Sequence, residues 1–265
     1  MYRSLDEYLA DMPEDQKQIY YIAGESLEAV QRSPFLEKVT QKNLEVLFLT
    51  EPIDEYVVQN LPEFGGKRLQ SIAKEGLQLP TDTPLEKRRE EAYKDSFKPL
   101  STFLKKVYGD RVEKVTVSSR LATTPCVLVT SQFGYSANME RILKSQAFAD
   151  PTRAQVMHAK KIMEINPRHP IIAGMLGKLD KDGEDASGEV ADVGRVLYDV
   201  SLLNSGFSLE EPAEYSARIF KLVNQGLMGS SATLDLLPEM ELPPEEEAAE
   251  EGAAAGGAAG DDEDL

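Results

Sequence analysis

The side chains that could do chemistry here are few. The sequence has two histidines, His158 and His169, and one cysteine, Cys126. A structural zinc site closes with four nitrogen or sulfur ligands, so no metal cage is expected. A single cysteine also excludes an intrachain disulfide. Cys126 sits in Pro125-Cys126-Val127-Leu128-Val129, a run that reads as a buried strand with no cation beside the sulfur, hence an inert core thiol. His169 lies between Pro167 and Pro170, where it reads as a turn residue. Ser118, Ser119 and Ser131 fall on expected strands without a nucleophile elbow. The acidic pairs Glu90-Glu91 and Glu210-Glu211 read as solvated faces and caps, because paired-carboxylate catalysis needs facing partners in a pocket. No catalytic residue is assigned, and the chain is read as hydrolysing nothing itself.

One segment is more suggestive. Within Phe133 to Ala147, Gly134-Tyr135-Ser136-Ala137-Asn138-Met139 joins an aromatic and a flexible thioether where a strand becomes a helix. Methionine surfaces adapt to varied apolar partners. On chemistry alone the stripe of Tyr135, Met139 and Leu143 reads as ordinary core rather than as a contact surface.

The elements that would position these groups follow from periodicity and capping. Ser4 and Glu7 have capping-box spacing, as do Thr83 and Glu86 with Pro84 between them. Gln18–Ala23 and Glu45–Thr50 are apolar runs of strand length, and Arg68–Ala73 is a third. Between them, Ser33-Pro34 opens a helix bearing Phe35, Leu36 and Val39, and Pro52 opens one bearing Ile53, Tyr56, Val57 and Leu61, which Gly65-Gly66 ends. Alternating strands and helices predict a small parallel sheet covered by helices. Gly24-Glu25-Ser26-Leu27 after the first strand lacks a glycine-rich phosphate fingerprint, so a structural layer is favoured over a nucleotide fold.

Pro99 should divide the helical pattern that runs from Leu85 to Val107, and a domain boundary is expected there. Beyond it, Val112–Ser119 and Pro125–Ser131 read as neighbouring strands, Ala137–Ala147 as a helix, and Lys178–Gly188 as a loop. Two amphipathic helices come last. The first carries Val190, Val193, Val196, Leu197, Val200 and Leu203 and stops at Gly206; the second carries Tyr215, Ile219, Leu222, Val223 and Leu227. This hairpin could pack on its own domain or pair with a second copy in a four-helix bundle.

Net charge is -17, but 11 acids and no Lys or Arg lie from Glu239 to Leu265, which leaves the preceding residues at -6. No cation-rich block suited to duplex phosphates appears, so nucleic acid is not an expected partner. No run is long and apolar enough to insert into a membrane, and no signal peptide opens the chain.

Phe133 to Ile142 closely resembles a signature of the ninety-kilodalton heat-shock chaperones, with Tyr135 where that family usually has Trp. Gln18–Glu25, Ser33–Leu36, Glu45–Tyr56, Glu164–Pro170 and Ser205-Gly206-Phe207 extend the resemblance over about residues 4 to 228. It implies α/β plus α+β architecture: residues 1–98 as the small α/β/α end of a middle domain, residues 99–229 as a C-terminal dimerisation domain, and residues 230–265 as a disordered acidic tail. It turns the terminal hairpin toward an intermolecular four-helix bundle, and Tyr135, Met139 and Leu143 toward client contact.

The implied function is a stress-response chaperone module that pairs with itself and holds partly folded clients, with co-chaperones as further partners. The family's ATP- and magnesium-binding domain would lie upstream of Met1, so no cofactor is expected in these residues. Asp262, Glu263, Asp264 and Leu265 resemble a Lys-Asp-Glu-Leu retrieval signal. With Lys74-Glu75-Gly76 and Asn166–Pro170, they look closest to endoplasmin, the endoplasmic-reticulum paralogue; cytoplasmic, mitochondrial and plastid forms are the alternatives. Competing functions are a ligand- or nucleotide-dependent activity in the first α/β domain, and a purely structural dimeriser.

Overall fold

A computed structural model of the chain describes residues 3–14, 16–80, 83–147, 160–182 and 187–229. His158, the acidic tail and the retrieval signal lie outside the described residues. Helix α1 (Leu5–Asp11) starts where the capping box requires: Ser4 Oγ accepts from the Glu7 amide at 3.1 Å, and Glu7 Oε2 accepts from the Ser4 amide at 2.8 Å. Strand β1 (Gln18–Ala23) follows, then α2 (Leu27–Gln31), a 3-10 turn at Pro34–Leu36, α3 (Glu37–Gln41), β2 (Val46–Leu49), α4 (Pro52–Asn60), β3 (Glu63–Phe64) and β4 (Lys67–Ser71). The four strands form one sheet in the order β2-β1-β4-β3. β1 is parallel to both β2, with Tyr20 opposite Val46, and β4, with Ile19 opposite Leu69.

Two local expectations change. Gly65-Gly66 does not end α4, which stops at Asn60; it is the two-residue turn of the β3–β4 hairpin, with φ of 55° and 74°. A tight hairpin of this hand needs positive φ at both central residues, which glycine supplies without strain. Helix α4 also does not lay its apolar stripe on the sheet. Ile53, Tyr56 and Val57 are exposed, while Glu55 is buried.

Helices α5 (Pro84–Ser96) and α6 (Lys98–Tyr108) are divided at Phe97, with Pro99 in the first turn of α6 where its missing N–H costs nothing. A second sheet contains β5 (Val112–Val117), β6 (Cys126–Thr130) and β7 (Lys161–Ile165) in the order β5-β7-β6. The sequence sets β6 beside β5, but the structure inserts β7 between them, parallel to β5 and antiparallel to β6. Met163 therefore sits opposite both Val115 and Leu128. Helix α7 (Ala137–Ala147) follows β6, and α8 (Pro170–Asp182) follows β7. The loop expected from Lys178 is helical as far as Asp182, because Leu179 packs on the core and carries the helix onward. The last helices are α9 (Ser187–Asn204) and α10 (Pro212–Met228).

The core explains why β6 is an unbroken apolar run. Cys126 and Leu128 face one cluster with Leu100, Leu104, Met163 and Leu197, while Val127 and Val129 face another with Tyr20, Ile22, Phe35 and Ile72. A strand covered on both sides has no polar face to offer. The described residues as far as Phe220 form one compact unit, so both sides of the expected boundary near Pro99 lie within it; Lys221 opens a second, whose described part is the end of α10.

Candidate functional site

Parallel strands end their carboxyl termini at one edge of a sheet, where ligand crevices form. At that edge of the first sheet a cleft of about 680 Å³ opens between Gly24, α4, the loop after β6 and the turn after α9. The loop is set by a tight turn. The Gly134 amide donates to Ser131 O at 3.0 Å, and a Cβ on Gly134 would come within 3.1 Å of Thr130 Cβ and of Ser131 Oγ. Ser136 then ties the loop down twice: its Oγ accepts from the Met139 amide at 2.9 Å, capping α7, and donates to Glu55 Oε1 at 2.5 Å. This explains why Glu55 is turned inward on α4. Lys74 Nζ donates to Gln132 O at 3.3 Å, and burial pushes its ammonium below the usual lysine range against the pull of Glu55. Tyr21 in the same cleft is pushed up to about 12, by burial first and the nearby Glu55 charge second.

The other wall is the turn that ends α9. The Phe207 amide donates to Leu202 O at 2.9 Å and the Gly206 amide to Leu203 O at 3.0 Å, with Gly206 at φ 83°. This paired pattern is a Schellman ending, for which glycine is the natural residue. Ser205 Oγ accepts the Leu128 amide at 2.9 Å, so the turn satisfies one donor on the open edge of β6.

The proposed contact stripe divides in three dimensions. Tyr135 and Leu143 are half-buried, whereas Met139 is only 4% exposed and belongs to the interior. Phe133, which the stripe does not include, is 95% exposed at the tip of the loop. A large aromatic beside a turn glycine, outside any helical or strand period, was the signal for it. The cleft thus joins an aromatic lip to a floor of mixed charge, with Arg141 bonded to Glu25 at 3.1 Å and to Asn138 at 2.8 Å. Such a surface can hold apolar side chains of varied shape.

The terminal helices divide as well. Val190, Val196 and Leu197 of α9 are buried, Val190 and Leu197 within their own core, and Val193 and Val200 are partly buried. Gly194 lets α9 approach Leu104 of α6 closely, which draws this part of the helix onto the chain's own core. Leu203 remains 46% exposed. On α10, Tyr215, Ile219 and Leu222 are partly buried, whereas Phe220, Val223 and Leu227 are exposed along one face of the helix. Phe220 was missing from the expected set because it falls one position beyond the Ile219 stripe.

Other candidates have ordinary structural roles. His169 Nδ1 accepts the Ile171 amide at 3.2 Å at the start of α8. The Cys126 thiol is buried, accepts from Ser201 Oγ at 3.1 Å, and is pushed up to about 11 by that burial. Among the described residues no group of three or more His, Cys, Asp or Glu side chains could hold a metal, and no helix is long and apolar enough to cross a membrane.

A family model described as Hsp90 protein matches residues 1–255. A human protein named putative heat shock protein HSP 90-beta-3 is 44% identical over 244 residues, which cover 90% of this chain and 40% of that protein. An endoplasmin homolog of Arabidopsis thaliana is 42% identical over 225 residues, 84% of this chain and 26% of that protein. A chloroplastic heat shock protein 90-5 from the same plant is 42% identical over 226 residues, 85% of this chain and 28% of that protein. The chain spans less than half of each of these relatives.

Proposed function

The chain belongs to the Hsp90 family, and from that membership we propose that it is a chaperone module that pairs with a second copy and holds partly folded client protein. The observation that carries this reading is bare apolar surface at the two positions where each contact is needed. Phe133 with Tyr135 offers clients an aromatic lip, and Phe220, Val223 and Leu227 offer a second copy an apolar helix face. Pairing through α10 would bring two sets of attached domains to high effective concentration. Clients would be gripped by adaptable apolar contact rather than a fixed hydrogen-bond code, so recognition would be broad. ATP hydrolysis, where the full protein performs it, is assigned to residues other than these.

Light scattering at micromolar concentration tests the pairing. The chain should have the mass of a dimer, and Phe220→Asp with Leu227→Asp that of a monomer; a monomeric parent chain would sink this part. Suppression of aggregation of a heat-denatured test protein examines the holding role. Phe133→Ser with Tyr135→Ser should keep the dimer mass and lose most suppression, whereas full suppression would leave only a structural dimeriser. For location we propose the endoplasmic-reticulum lumen, with plastid and cytoplasm as alternatives, since relatives named for the first two are equally similar. Loss of reticulum retention on deleting Asp262–Leu265 would distinguish them.

A further inference from the structure

We infer that the cleft between α3, α5 and the turn after β7 binds a small anion carrying clustered phosphate groups. This cleft has a volume of about 840 Å³ and is lined by Lys38, Lys42, Lys87, Arg89 and Arg168. That size is within the ordinary range of small-ligand pockets.

The cations come from three separate elements. Lys38 and Lys42 are four apart at α3, where like charges repel. Lys87 and Arg89 stand on α5, and Arg168 stands in the turn before α8. Two acids also line the cleft, but both are engaged. Glu86 Oε2 accepts the Thr83 amide at 2.8 Å while its Oε1 lies 3.9 Å from Lys42, and Glu90 Oε1 holds Lys94 at 2.6 Å. Among the described residues Lys38, Lys87, Arg89 and Arg168 make no ion pair. Five cations against two acids leave this lining with an excess of positive charge, in a chain whose net charge is -17, and a bound anion would balance that excess.

The ligand class follows from charge density. A phosphate monoester carries about two charges and three acceptor oxygens, and arginine forks match it with paired hydrogen bonds. Several such groups fit within one cleft, whereas an acidic peptide supplies one charge per residue and must be far longer. A long polyanion would also meet the negative field of the rest of the chain. The site uses elements other than the Phe133 loop and stands or falls independently of client holding.

Isothermal titration calorimetry of the full chain with inorganic tripolyphosphate at low salt tests it. The triple variant Lys87→Gln, Arg89→Gln, Arg168→Gln should bind at least about tenfold more weakly, since each lost charge-assisted contact is worth up to a decade. A charge-matched control at exposed cations elsewhere, Lys17→Gln, Lys106→Gln, Lys181→Gln, should bind like the parent. All six side chains are exposed and belong to no core cluster, and circular dichroism checks that both variants remain folded. Absence of binding by the parent chain, or equal weakening in the control, overturns the site. Equally tight binding of an oligoglutamate of matched charge overturns the phosphate assignment in favour of an acidic peptide.

Discussion

Arg120 grips Glu164 through two parallel contacts, Nε to Oε2 at 2.9 Å and Nη2 to Oε1 at 2.8 Å, with both side chains almost sealed from water. Ser118 Oγ donates to the same carboxylate at 2.8 Å, and the remaining guanidinium nitrogen donates to Ile72 O beside the first sheet. One side chain therefore joins the two sheets. A buried pair adds little over an apolar replacement, but breaking it strands a charge. Arg120→Met should cost about 3–5 kcal/mol in urea denaturation, and Arg120→Met with Glu164→Leu should recover most of it. A neutral single variant would show that the pair does not hold the sheets together.

Two glycines should respond oppositely to the same change. A Cβ on Gly194 would lie 2.8 Å from Leu104 Cδ2, so Gly194→Ala must push α9 off α6 and should cost about 1–3 kcal/mol. A Cβ on Gly174 in α8 would meet nothing within 4 Å, so Gly174→Ala should stabilise by about 0.5–1 kcal/mol. Thermal denaturation of both variants reads the difference.

Alkaline pH should loosen the fold through groups buried in their neutral form. Burial raises Cys126 from 9.0 to about 11, and Tyr21 and Tyr198 from 10.0 to about 12. Their stability is fully present below the unfolded values and is lost as pH rises through the folded ones. The urea midpoint should hold to about pH 9 and then fall toward pH 12, and Cys126 should resist thiol reagents at pH 8 until the chain unfolds. A flat midpoint across that range would contradict the burial.

Acid should act through Glu37. Burial pushes this carboxyl up, but the Thr124 hydroxyl and the amides of Ala122, Thr123 and Thr124 outweigh it and hold the group below the usual carboxylate range. A depressed value gives stability that is present above the unfolded value of about 4.5 and lost as pH falls through the folded one. Glu37→Gln should flatten the acid limb of a stability-against-pH curve; an unchanged limb would mean that other carboxylates set it.

The sequence alone determined what depends on neighbouring residues. Capping at Ser4 and Thr83, the division of α5 from α6 beside Pro99 and the glycine ending at Gly206 all rest on backbone groups within a few residues. The resemblance of Phe133–Ile142 to the Hsp90 signature was legible for the same reason, being an unbroken string. Only the tertiary structure decided which partner each apolar face meets. It slid β7 between β5 and β6, turned Ile53 and Val57 outward, drew Met139 and Leu197 inward, and joined Arg120 to Glu164 across 44 positions. Periodicity reports that a face is apolar, but burial is settled by contacts between distant segments, and those exist only once the chain has folded.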